Sequence, residues 1–94
     1  MHYRMTKMTF RPEAYEQVFS TMDSRKSDIL KISGVEWVDS IKTSDSEIMV
    51  IAKYDKSESA DAATPQVKEM LGTLSDFVTA PPERVHGDVV WTTR

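Results

Sequence analysis

The chain has 94 residues, no cysteine and a net charge of −3. A chain of this length buries about 65% of its unfolded surface, so residues 1–94 read as a single domain with one modest core. The missing cysteine excludes a disulfide framework, an iron–sulfur cluster, a thiolate zinc site and a cysteine nucleophile. The 12 Lys and Arg are scattered rather than gathered into a stripe, so no nucleic-acid partner is expected.

Residues 2–10 are rich in Thr, Tyr and Phe, hold no breaker and predict a strand. Pro12 then suits the first position of a helix, with Glu13 and Glu16 near the positive end of its dipole. Tyr15, Val18, Phe19, Met22, Ile29 and Leu30 recur at helical spacing, which predicts a helix over 12–33, interrupted on its apolar stripe at Arg25 and Lys26 and ended by Gly34. Strands are predicted at 35–43 and 47–54, joined by Ser44-Asp45-Ser46 as an antiparallel hairpin. Residues 57–63 fit one helical turn. Thr64 and Pro65 start a second helix over 65–79, carried by Val67, Met70, Leu71, Leu74, Phe77 and Val78 and stopped by Pro81 and Pro82. The last predicted strand covers 84–92.

The order β-α-β-β-α-β predicts an α+β, ferredoxin-like fold: a four-stranded antiparallel sheet with both helices on one face. Ile48-Met49-Val50-Ile51-Ala52 and Val89-Val90-Trp91 are apolar on both faces of their strands. The two helices cover one face, so a second copy of the chain is expected on the other, as a homodimer through the sheet faces. Residues 1–7 hold no apolar segment of a secretory signal and no run reaches membrane-spanning length, so a cytoplasmic protein with no membrane partner is expected.

Four stretches resemble the antibiotic biosynthesis monooxygenase-like family of the dimeric α/β barrel superfamily: Ile32-Ser33-Gly34-Val35, Tyr54-Asp55-Lys56-Ser57, Ala80-Pro81-Pro82 and Gly87-Asp88-Val89-Val90-Trp91. With the element order, the resemblance spans nearly the whole chain. It implies a homodimer, a dimeric α/β barrel, with a pocket in each subunit between sheet and helices. It also implies chemistry of the kind found in cofactor-independent oxygenases of quinol-like or polyketide substrates. The Asn, Trp and helix His that the resemblance attaches to haem degradation are not present together, because the chain contains no Asn.

Candidate site residues follow from residue type and parity. His86 is a possible general base and Asp88, two residues on, shares its face and could orient it; the alternative is a solvent-facing or interface histidine. Asp39 lies mid-strand between Trp37 and Ile41, either as a carboxylate for proton transfer or as a rim residue paired with Lys7 or Arg4. Trp37, Tyr54 and Trp91 either line a pocket for a planar ligand or pack in core and interface. Trp91 has the parity of Val85, Gly87 and Val89, the more apolar set, and is expected under the helices; His86 and Asp88 are then expected on the dimer side. With His2 and His86 the only histidines and no phosphate-binding loop, no metal or cofactor is expected. The function expected is that of a cofactor-free monooxygenase or related enzyme acting on a small aromatic or quinol-like substrate. The alternative is a non-catalytic dimeric protein, small-molecule-binding or stress-related.

Overall fold

The structure, a computed structural model, describes residues 1–94. Strands β1 (His2–Thr9), β2 (Val35–Ser44), β3 (Glu47–Tyr54) and β4 (Glu83–Asp88) form one sheet in the order β2-β3-β1-β4, every neighbouring pair antiparallel. Helices α1 (Tyr15–Ser24) and α2 (Lys26–Leu30) follow β1, and α3 (Ser57–Ala62) and α4 (Thr64–Gly72) follow β3. This is the expected ferredoxin-like topology: each pair of helices crosses from one strand to a parallel one two places away.

Alternation in β1 decides the inner face. His2, Arg4, Thr6 and Met8 are buried toward the helices, whereas Tyr3, Met5, Lys7 and Thr9 lie on the outer face. In β3 the same inner face carries Ile48, Val50, Ala52 and Tyr54, each opposite one of those β1 residues. Two buried clusters anchor the helices. One joins Met8, Phe10, Val18, Ile48 and Leu74; the other joins Ile32, Ala52, Tyr54, Ala60 and Ala63. The outer face presents Trp37, Ile41, Met5, Ile51 and Val85 without any element above it.

Gly34 ends the first helical segment at φ +85°, the one residue with positive φ. A Cβ there would meet the Ser59 side chain and lie 2.7 Å from Asp55 Oδ1. The Gly34 carbonyl accepts the Asp55 N–H at 2.9 Å, so the glycine lets β2 start directly against the loop that leaves β3.

Three elements differ from the sequence reading by more than one residue. The helix over 12–33 is a 3-10 turn at Pro12–Ala14 followed by α1 and α2, broken at Arg25, where the charged pair interrupts the apolar stripe. The bend at Arg25 keeps both Met22 and Ile29 on the interior. The second long helix ends at Gly72 rather than residue 79. Thr73 Oγ1 donates back to the Met70 carbonyl at 2.6 Å and the chain tightens into turns that still bury Leu74. β4 ends at Asp88 rather than residue 92, because Asp88 already pairs with His2 at the start of β1. Val89 N–H reaches the Met1 carbonyl at 3.0 Å, and beyond it no rung remains. Two irregularities interrupt the β2–β3 register, between Val35 and Trp37 and between Lys42 and Ser44.

Candidate functional site

Between the inner sheet face and the helices lies a cavity of about 100 Å³. The sheet contributes Met8, Val38, Val50, Ala52, Tyr54 and Arg4; α1, α2 and α4 contribute Met22, Ile29, Val67, Met70 and Leu71. It forms because Ala52 and Val38, small residues, stand mid-sheet where the two core clusters meet. The space exceeds what one water needs, and its mostly apolar wall favours an apolar occupant over water.

Two of its lining residues are cationic. Arg25 donates to Glu69 Oε1 at 3.2 Å and lies 3.4 Å from Asp28 Oδ2, so its charge is balanced. Arg4, 5% exposed, has no carboxylate partner. Its Nη2 donates to the Ala60 carbonyl at 2.8 Å and to Thr64 Oγ1 at 3.0 Å, and its guanidinium stands 5.7 Å from the Tyr54 ring centroid. Burial pushes the Tyr54 phenol above its ordinary pKa, with the Arg4 charge opposing it in part. Tyr54 is therefore a neutral phenol near pH 7.

A second group of polar residues lies at the open end of the same inner face. His2, 3% exposed, places Nδ1 at 2.8 Å from Asp88 Oδ1 and Nε2 at 2.8 Å from His86 Nδ1. The carboxylate can only accept, so it fixes the His2 proton on Nδ1 when the ring is neutral; His2 Nε2 then accepts from His86 Nδ1–H, which leaves His86 Nε2 as an acceptor. The bond from His2 holds the Asp88 carboxyl below its ordinary pKa. The arrangement leaves His86 Nε2 as the one ring nitrogen of the pair without a partner in this group. No set of three or more His, Asp or Glu residues is arranged to hold a metal ion.

The sequence-predicted residues separate into three places. Tyr54 lines the cavity. His86 and Asp88 face the helix side, not the outer side: the register sets His86 opposite Arg4 and Asp88 opposite His2, and those residues point inward. They do not line the cavity. Trp91 is not under the helices but 78% exposed, since β4 has no rung that far. Trp37 and Asp39 lie on the outer face, opposite Lys53 and Ile51, with Trp37 edge-on to Tyr3 at 5.8 Å. Asp39 forms no ion pair with Lys7 or Arg4; Lys7 lies instead 3.6 Å from both Glu47 and Glu83. Sequence reasoning missed Arg4 and His2. In β1 polar and apolar residues occur at both parities, so no hydropathy signal says which face is buried.

No family model matches the chain, and no curated protein matches it by sequence. Solved structures do match. SnoaB, a cofactor-independent oxygenase from Streptomyces nogalater, superposes with a TM-score of 0.75 at 15% identity, over 98% of this chain and 95% of that one. A structure named antibiotic biosynthesis monooxygenase gives 0.77 at 14% identity, over 96% and 99%. The fold is that of the antibiotic biosynthesis monooxygenases. A Nitrosomonas europaea protein of unknown function with the same architecture gives 0.82 at 10% identity, over 99% and 92%. At such identities the likeness is one of fold. No helix is long and apolar enough to cross a membrane.

Proposed function

We propose that this chain binds a small planar ligand in the cavity between sheet and helices and acts on it as a cofactor-independent oxygenase on a quinol-like aromatic. The observation that carries the reading is the cavity itself, an apolar space bounded by a neutral phenol and a guanidinium in a fold shared with SnoaB. Tyr54 and Arg4 orient the ligand's oxygens; the apolar wall excludes water from an oxidised intermediate. The working form is a homodimer joined through the outer faces, where Trp37, Ile41 and Ile51 stand on the uncovered side, and its place is the cytoplasm. Oxygen uptake with simple hydroquinones and naphthoquinols tests the reading. Turnover that falls at least tenfold in Tyr54→Phe supports it. A ligand that binds with no oxygen uptake supports the second reading, binding without catalysis, which is favoured by the absence of His86, Asp88 and Asp39 from the cavity wall.

A further inference from the structure

Arg4 is a cation without a counter-charge in the least polar part of the molecule. The residue is 5% exposed, stands in the cavity wall, and has Nη1 closed from solvent with no hydrogen-bond partner. Its two bonds, to Ala60 O and Thr64 Oγ1, both come from Nη2 and both go to neutral oxygens. A buried charge is costly unless it is paired, and an unsatisfied buried donor adds to that cost. The other cation of the wall, Arg25, is balanced by Asp28 and Glu69. The protein thus holds one charge uncompensated beside an apolar space, an arrangement that an anionic ligand completes.

We infer that the cavity is selective for aromatic acids: ligands whose ring fills the apolar space and whose single ionised oxygen group, carboxylate or phenolate, is stabilised by the uncompensated charge of Arg4. This rests on the ligand-binding reading of the cavity and names its charge class. Arg4 stays charged at any working pH and both of its hydrogen bonds go to neutral oxygens, so the charge is left for a ligand to balance. No Asp or Glu lines the cavity, so no carboxylate of the wall repels such a ligand.

The test uses single-ring probes matched to the cavity. Benzoate and benzamide have one shape and differ in charge; titrated into the intact protein at pH 7.5 and followed by chemical shifts, benzoate should bind at least tenfold more tightly. In parallel, 4-nitrophenol reports its own ionisation by the yellow colour of its anion, and should ionise at lower pH when bound than when free. Arg4→Met should abolish both effects while still binding benzamide; Arg4→Lys should retain part of each. A preference confined to the first arm marks a carboxylate ligand, and one confined to the second a phenolate. Equal affinities for benzoate and benzamide together with unchanged nitrophenol ionisation overturn the anion subsite and leave the cavity reading standing. No binding of any probe overturns both. The wild-type comparison decides without any variant, and Leu71→Trp, which fills the cavity, should remove all binding if the probes sit there.

Discussion

His2 Nε2 lies 2.8 Å from His86 Nδ1, and this contact between the two ends of the chain exists only because β1 and β4 are neighbours in the sheet. The buried ring thereby connects Asp88 to His86 through two hydrogen bonds of equal length. Each of the three residues depends on the others for its hydrogen-bond geometry, which makes the group sensitive to substitution.

Asp88→Asn should expose that sensitivity. The Asp88 carboxyl is held below its ordinary pKa first by the His2 bond, so it contributes stability that is present above the unfolded value of about 3.9 and lost as pH falls through the lower folded value. Denaturation by urea should find the variant less stable than wild type at pH 7. The difference should close in acid, below the pH at which the unfolded carboxyl protonates. Equal stability at pH 7 would show that the His2 contact contributes nothing.

Gly34→Ala should destabilise the fold by about 1–3 kcal/mol, from left-handed backbone strain and the collision with Ser59. The denaturant midpoint should fall with an unchanged slope. In the Ser59→Gly background, which removes the Ser59 contact but not the Asp55 one, Gly34→Ala should cost less than it does in wild type.

Neighbouring residues of β3 should respond in opposite ways to the same charge. Val50 lines the cavity and Ile51 lies on the outer face opposite Met5 and Asp39. Val50→Asp should disrupt folding, because it places a carboxylate in an apolar wall. If the outer faces pair as proposed, wild type should run as a dimer by light scattering and Ile51→Asp as a folded monomer. A wild-type monomer at micromolar concentration would remove the basis for a face-to-face pair.

Ile48→Ala should cost about 2–5 kcal/mol, the range for truncating a fully buried aliphatic side chain. A smaller loss would mean that the cavity beside this cluster collapses to fill the gap. A probe-binding measurement on the same variant separates the two outcomes.

The element order and the hairpin at residues 44–46 were legible because they rest on local signals: Pro12, Gly34, Thr64 with Pro65, and the helical spacing of apolar residues. The site was less legible. Strand and residue type left Tyr54 open between pocket and core, and the structure has it in a core cluster and in the cavity wall. Arg4 could not be placed there, since a single Arg in a strand reads as a surface residue until the register shows it opposite Ala52. The faces of His86 and Trp91 were inverted for a physical reason. Parity within β4 separates the two residues but does not say which set is inner; that is set by β1, whose first residue also fixes where β4 must stop.

The irregularities in β2 have a consequence for how this chain meets other chains. β2 bonds only to β3, so one side of it is a row of open peptide groups. Such a margin invites another chain to add a strand, and repeated addition grows a filament. Here the row is interrupted near both ends and carries Asp39 and Lys42 in between, so an incoming strand would meet broken spacing and charge. The broad outer surface, with Trp37, Ile41 and Ile51, differs from that margin in kind: a face-to-face contact between two copies, as proposed above, uses the surface up and leaves nothing for a third.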